Sequence, residues 1–447
     1  MMMMLSSGTM DSLFKKNWSD IIYKECVDGI DIGNRMQSML LDVVSEKAAL
    51  SPMILKNFLT KIVTQLFLGD PKLTGEEDIS PSEMAIFNKL HYFLKEIIET
   101  YPHSSRDLVR ATIQRFPHHQ TRSGHSLLAY TCNTCILFEY LPVLYQPIAA
   151  VIDKLIWLEL SSQTIDSSME TDDESIKVAN KFSIIFDKIF DLLLETIYDM
   201  VHPNGRVRAS GDLHRSDLFL NIFEKIYLRM IAPVDSLVNL PYCLLYWCSF
   251  SEEICTQAID VIWAKISKID DQKRAARYTF VLASMLVEAT YITSEMIMNF
   301  IETATTWALE YCDEHSDLII DQNFDPSNHS KFYAISQSIF YVISCKITTF
   351  TEIQLKNLRF LRLQKVLQSP LNPLLFCLTT ISDQFAKISH HHEIAMCSFV
   401  LERNKRLNYD PSSYFNRSLC YYFPFHSHTF QLSSPKFDSI TDSIAIE

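Results

Sequence analysis

Residues 297–311 read IMNFIETATTWALEY, and their apolar side chains recur every three or four positions. The apolar positions of this stretch are Ile297, Phe300, Ile301, Ala304, Trp307, Ala308 and Tyr311. In an α-helix such positions fall on one face, which can pack against another helix while the opposite face meets water. The stretch therefore predicts an amphipathic α-helix.

The same spacing recurs at residues 182–197, 219–230 and 255–266, and short polar connectors such as Pro203–Gly205 separate the stretches. Helices in such close succession predict antiparallel pairs. Stacked pairs form the superhelix of a HEAT or armadillo α-solenoid, whose repeat is about 40–47 residues long. No clear sequence repeat accompanies the pattern, so a large irregular helical bundle remains the alternative.

Glycine is scarce, with 8 glycines among 447 residues. Phosphate-binding loops and tight strand turns need glycine, because they require positive φ or a close approach of the backbone. The composition therefore argues against a P-loop, a Rossmann fold, a kinase or a glycine-turned β-sandwich. Together with the helical spacing, it predicts an all-α fold with the architecture of a HEAT-repeat-like solenoid.

Composition also predicts three segments along the chain. We expect a disordered N-terminus over residues 1–12, a helical array over residues 13–409 and an extended tail over residues 410–447. An acidic loop over residues 161–176 is predicted to interrupt the array, because this stretch is polar and contains the run ETDDE. The aromatic cluster of the tail is predicted to pack back on the array.

The chain carries 40 basic and 53 acidic residues, a net charge of −13. A surface that binds duplex DNA is normally basic, so we expect protein partners and no direct sequence-specific DNA binding. No stretch has the apolar length that a membrane span needs, and no apolar leader segment is visible, so we expect no membrane association. The eleven cysteines lie mostly in apolar runs, which is typical of reduced, buried thiols in an intracellular protein.

One cysteine pair has a spacing that could suit zinc. Cys132 and Cys135 form a CxxC near His118, His119 and His125. Both cysteines fall in a helical apolar run without a second CxxC, so core thiols are the preferred interpretation. The run at residues 390–392 is three histidines and is interpreted as a polar connector. Since no catalytic signature appears in a fitting context, we expect no enzyme activity, no metal and no cofactor.

Four strings carry more information than composition: KFYAISQSIFYVIS at 331–344, KVLQSPLNPLLFC at 365–377, FVLERNKR at 399–406 and YYFPF at 421–425. Taken one at a time, they predict an amphipathic helix, an Asn-Pro turn between helices, a helix C-terminus with cations on its dipole, and an aromatic anchor. These structural interpretations explain each string but not the order of the four along the chain.

That order resembles the RNA polymerase I-specific transcription initiation factor family, known in animals as transcription initiation factor IA. The positions that match its motifs are Phe332, Tyr333, Gln337, Asn372, Pro373, Leu374, Glu402, Asn404, Phe423 and Pro424. Weaker similarities to other motifs of the family extend the resemblance over residues 90–430. The chain departs from the pattern in two places. Leu375 stands where the family has a lysine. Around Glu288 the family has a string with two basic residues, and this chain has neither of them. It is thus identified as a short, divergent member.

The resemblance implies a HEAT-repeat solenoid without catalytic activity or cofactor. It implies a factor that binds RNA polymerase I and bridges it to a promoter-bound core factor at ribosomal RNA genes, in the nucleus and nucleolus. Some members self-associate, so a homodimer is also implied. A generic helical-repeat scaffold or transport adaptor with other protein partners is the alternative.

The resemblance also implies a serine-bearing surface that faces the polymerase and is controlled by phosphorylation. The candidates in this chain are Ser104, Ser105, Ser123 and Ser126. A phosphate adds about −1.5 to −2 charges, enough to disfavour docking on an acidic partner. A helix cap is the alternative role for Ser104 and Ser105, since serine ahead of Asp107 favours a helix start.

Overall fold

The structure is a computed structural model and describes residues 52–69, 78–118, 123–141, 145–166, 173–202, 223–234, 236–317, 324–406, 425 and 430–441. Within these ranges the regular elements are helices, and the one extended pairing is an isolated antiparallel bridge between Ala289 and Thr441. The prediction of an all-α fold is therefore confirmed. No helix in the described part of the chain combines the length and apolar character that crossing a bilayer requires.

The chain divides into two compact units, residues 1–206 and residues 207–447. The single helical array that we predict over residues 13–409 stays a prediction. The disordered N-terminus predicted for residues 1–12 lies outside the described residues.

Six α-helices of the first unit are described. They are α1 (Pro52–Leu66), α2 (Pro81–Thr100), α3 (Ser104–Gln114), α4 (Gly124–Ile136), α5 (Tyr145–Asp166) and α6 (Asp173–Val201). Helix α5 packs along α6, α1 packs on α3, and α4 packs on α6. Helices α1 to α4 share a core that includes Leu59, Val63, Phe67, Leu94 and Leu108, which are almost fully shielded from solvent.

Local sequence signals set where these helices begin. Ser80 forms a capping box with Glu83: the backbone N–H of Glu83 donates to Ser80 Oγ, and the N–H of Ser80 donates to the Glu83 carboxylate. Pro81 then occupies the first helical position, where the missing N–H costs nothing. Sequence alone therefore defines the start of α2.

The predicted acidic loop is shorter than expected. Helix α5 continues to Asp166 and α6 already begins at Asp173, so both ends of the predicted stretch 161–176 are helical. Residues 161–166 contain neither glycine nor proline, so their composition does not forbid a helix. Residues 167–172 lie outside the described part of the chain.

Ten α-helices of the second unit are described from end to end. They are α7 (Cys243–Cys248), α8 (Glu252–Lys268), α9 (Gln272–Glu288), α10 (Ser294–Glu314), α11 (Ser330–Lys346), α12 (Glu352–Phe360), α13 (Leu363–Leu367), α14 (Pro373–Phe376), α15 (Thr379–His391) and α16 (Ser398–Lys405). Helix α11 is buried over nearly its whole length and packs on α9, α10 and α15. It is the centre of this unit.

The described part of the C-terminal tail packs into the second unit. The rings of Phe425, Phe430 and Phe437 each meet Tyr242 edge-on, with centroids 5.3–5.5 Å apart, and the Tyr242 hydroxyl donates to the Phe425 carbonyl. Residues 430–441 follow bends and a 3-10 helix at Ser434–Lys436 instead of the extended path that we predict. Proline at the second position of that helix favours the turn, since its φ is preset.

Candidate functional site

The predicted serine surface lies at the beginnings of α3 and α4 in the first unit. Helix α3 begins at Ser104 itself, with His103 at the capping position, so the predicted role of Ser104 as a side-chain cap is wrong. The Ser104 hydroxyl is buried and donates to the Tyr101 carbonyl at 2.7 Å. Ser105 is half-buried, and its hydroxyl donates to the Pro102 carbonyl at 2.7 Å.

The second serine pair is a helix cap. Ser123 is the N-cap of α4: its Oγ accepts the backbone N–H of Ser126 at 3.2 Å and donates to Ser126 Oγ at 3.0 Å. Ser126 is buried, whereas Ser123 is half-buried. Of the four predicted serines, Ser105 thus combines partial exposure with a hydroxyl that no cap requires.

An open groove lies between α3 and α5, with a volume of about 1030 Å³, and its lining begins at Arg106, the residue after Ser105. Its floor is apolar and includes Val109, Ile113, Phe116 and Ala150. Its polar lining is supplied by Arg106, Asp107, Arg110, Gln114, Gln146, Asp153 and Lys154. The groove thus combines an apolar floor with three cations and two carboxylates, a lining that suits a protein segment with apolar and charged side chains. We did not predict this groove, since it exists only where two helices meet.

The two cysteines of the CxxC pair lie in the core of the first unit. Cys132 and Cys135 are buried within α4, and burial raises the pKa of the Cys135 thiol to about 12, which disfavours the thiolate that zinc needs. The imidazole of His125 is engaged with the Glu83 carboxylate at 3.0 Å. His118 is exposed, and His119 lies outside the described residues. Over the described ranges, no three His, Cys, Asp or Glu side chains gather in a way that could hold a metal.

The run of histidines also differs from its predicted place. His390 and His391 are in the last turn of α15 and not in a connector between helices. The turn itself is closed by Glu393, which takes positive φ.

The motif residues of the second unit meet in one buried junction. From α11, the Tyr333 hydroxyl donates to the Leu371 carbonyl at 2.9 Å, and Gln337 Oε1 accepts the backbone N–H of Leu378 at 2.8 Å. Phe332 packs beside Tyr333 in the same core. Helix α11 thereby holds the chain on both sides of α14.

Asn372 and Asn404 complete this junction. Asn372 adopts φ of +46°, a left-handed conformation that asparagine tolerates better than most residues, and Pro373 then begins α14. The two amides exchange hydrogen bonds of 2.8 and 3.2 Å, which join α14 to α16. The predicted Asn-Pro turn between helices is confirmed. Leu374 is buried there too.

The remaining motif positions lie elsewhere. Glu402 is exposed on α16 and pairs with Lys405 at 2.9 Å, which lowers the pKa of the carboxyl. Leu375, at the position of the family lysine, is buried in the same core as Tyr333. Phe423 and Pro424 lie outside the described residues, although the neighbouring Phe425 is buried.

Comparison with known proteins places these features in a family. The family model of the RNA polymerase I specific transcription initiation factor RRN3 matches residues 34–181 and 159–437. The mouse RNA polymerase I-specific transcription initiation factor RRN3 is 23% identical over 381 residues, which cover 76% of this chain and 56% of the mouse protein. The Schizosaccharomyces pombe factor rrn3 is 23% identical over 376 residues, which cover 73% of this chain and 62% of that protein. The chain thus spans about three-fifths of the length of these relatives.

The fold is similar to a solved structure as well. The crystal structure of RNA polymerase I transcription initiation factor Rrn3 matches with a TM-score of 0.70 at 17% identity, over 90% of this chain and 79% of that one. At this identity the likeness concerns the fold, whereas the family model covers most of the sequence. The chain therefore belongs to the RNA polymerase I specific transcription initiation factor RRN3 family.

Proposed function

We propose that this protein is an RNA polymerase I initiation factor that binds the polymerase and bridges it to the promoter-bound core factor at ribosomal RNA genes. The observation that carries the proposal is the family match, which includes residues of both compact units. The intact junction of motif residues around Asn372 supports it. The proposed factor acts in the nucleus and nucleolus, without catalysis, and its self-association as a homodimer is part of the proposal.

The proposed polymerase-binding surface is the N-terminal end of α3 with the groove beside it. Arg106 and Arg110 line the groove and would attract acidic side chains of the polymerase. A phosphate on Ser105, next to Arg106 in the chain, would neutralise part of the positive charge of these arginines and so weaken their attraction for the polymerase. Phosphorylation there is thus proposed to control binding.

An affinity purification from the protein's own cells tests the proposed function. We expect the tagged protein to recover RNA polymerase I subunits, identified by mass spectrometry, that a control helical-repeat bait does not recover. A generic scaffold or transport adaptor would instead recover trafficking or signalling proteins, and the absence of polymerase subunits would overturn the proposal.

A further inference from the structure

Residues 352–406 carry the opposite charge from the chain as a whole. This segment holds eight basic and four acidic residues, in a protein whose net charge is −13. Between Ile353 and Ser382 there are four cations and no acid. Such a reversal concentrates positive potential on one part of an acidic protein.

Hydrogen bonds bring the two ends of this segment together. The Arg359 guanidinium donates to the His392 carbonyl at 2.8 Å. The Gln364 side chain accepts the backbone N–H of Met396 at 2.6 Å and donates to its carbonyl at 3.4 Å. These hydrogen bonds hold α12 and α13 against the segment 392–396, which leads into α16. We call the line of contact between them the seam.

Large apolar side chains stand exposed along this seam. Phe360 is 71% exposed, Met396 is 77% exposed and Phe399 is 73% exposed. Single exposed apolar residues are ordinary, but several at one seam are typical of an interaction surface. Ile353, on α12, is exposed to a similar extent.

The segments on both sides of this seam also carry cations, which are only partly neutralised. Lys365 pairs with Asp313, and Lys405 pairs with Glu402. In the described part of the chain, no ion pair engages the exposed side chains of Lys356, Arg362, Arg403 and Arg406. We call these four cations, with Phe360, Met396 and Phe399, the basic-apolar surface.

We propose that the basic-apolar surface docks an acidic protein segment that carries aromatic or aliphatic side chains. Its cations complement a negative segment, and its apolar side chains offer contacts that charge alone would not use. Nucleic acid is the less favoured occupant, because the exposed Met396 side chain is aliphatic and does not stack on bases. The inference goes beyond the proposed function and does not rest on it.

The test measures binding of short fluorescein-labelled peptides to the full-length purified protein by fluorescence anisotropy. The probe alternates glutamate with phenylalanine and leucine, and two comparison peptides carry lysine for glutamate or serine for the apolar residues. We expect the acidic-apolar peptide to bind, and binding to fall about tenfold or more in R362E/R403E and in F360S/F399S. All four side chains are exposed, so circular dichroism should show an unchanged fold.

Two matched variants serve as controls. K273E/R274E makes the same charge change at exposed positions of α9, and L432S removes an exposed apolar side chain of the tail. Neither should alter binding of the acidic-apolar peptide. The proposal is overturned if no peptide binds, if the serine-substituted peptide binds equally well, or if the controls weaken binding as much as the surface variants. It is also overturned if a DNA or RNA oligonucleotide binds more tightly, or if F360S/F399S abolishes a dimer seen by light scattering.

Discussion

Two adjacent serines at the start of α3 have different surroundings, although they look equivalent in the sequence. Ser104 is buried with its hydroxyl against the Tyr101 carbonyl, whereas Ser105 is half-buried. We expect Ser105→Asp to weaken polymerase binding without loss of stability, because a negative charge in the first turn interacts favourably with the helix dipole. Purified polymerase and the variant, compared by pull-down and thermal unfolding, give the two readouts.

Ser104→Asp is the matched control, since it adds the same charge one residue earlier. We expect it to lower stability by about 1–3 kcal/mol, because a carboxylate would replace a hydroxyl that donates to a carbonyl inside the protein. If Ser105→Asp left polymerase affinity unchanged, the assignment of this surface would be wrong.

Asn372 combines a left-handed backbone with a paired side chain, and two substitutions separate these contributions. Asn372→Ala should cost about 2–3 kcal/mol, since it loses the amide pair with Asn404 and places alanine at positive φ. Asn372→Gly loses the same pair but accepts the conformation, so its cost should be about 1 kcal/mol smaller. Denaturant unfolding of both variants, with Asn404→Ala as the amide-only control, measures the difference; equal costs for alanine and glycine would show that φ is unimportant here.

At the level of elements, a buried polar network joins α2 to α4. His91 Nε2 lies 3.0 Å from Asn133 Oδ1, and its Nδ1 lies 2.8 Å from the Tyr140 hydroxyl. The Asn133 amide nitrogen donates to the Ala129 carbonyl at 2.9 Å, which orients its oxygen toward the imidazole. A neutral imidazole, with one donor and one acceptor, satisfies both partners.

This network predicts a loss of stability in mild acid. Burial lowers the pKa of His91 to about 4, against 6.5 for the unperturbed side chain. Below pH 6.5 the unfolded chain therefore binds more protons at this histidine than the folded chain does. The stability that the neutral His91 contributes is fully present above pH 6.5 and is lost as the pH falls toward 4. We expect His91 to account for up to about 3 kcal/mol of the decrease in the free energy of unfolding over this pH range.

Urea unfolding at several pH values between 7 and 4, compared for the native protein and His91→Gln, measures this contribution. Subtracting the two free energies of unfolding cancels the contributions of titrating groups that both proteins share. This difference in stability should shrink as the pH falls. A difference that does not depend on pH would show that His91 is not the group responsible.

The periodic helices were predictable, but such networks were not. The stripe at residues 297–311 lies within α10, because apolar spacing is a local property of the sequence. The ends of α5 and α6 extend into a stretch predicted as loop, since acids and serines without glycine or proline do not forbid a helix. His91 and Asn133 are 42 residues apart, and only tertiary packing brings them together.

At the scale of the whole molecule, the order of the motifs predicted the family although each motif alone had a structural explanation. The structure shows why the order matters: Tyr333 and Gln337 of α11, Asn372 ahead of α14 and Asn404 of α16 meet in one junction. The groove beside Ser105 could not be predicted in this way. It is formed by α3 and α5, whose exposed residues carry no pattern that indicates their pairing.

The tail gives a last prediction at this scale, because it closes the second unit through contacts between residues far apart in the chain. Phe437 is 1% exposed and lies against Tyr242, Tyr246 and Phe430. Phe437→Ala should destabilise the second unit by about 3–5 kcal/mol, as removal of a fully buried phenyl ring leaves a cavity.

Leu432→Ala, in the same tail but 54% exposed, is the control and should cost less than about 0.5 kcal/mol. Hydrogen exchange in α7 and α9 measures both effects, since amides of the second unit should lose protection only in the Phe437 variant; equal protection in the two variants would mean that the tail rests on a unit that is stable without it.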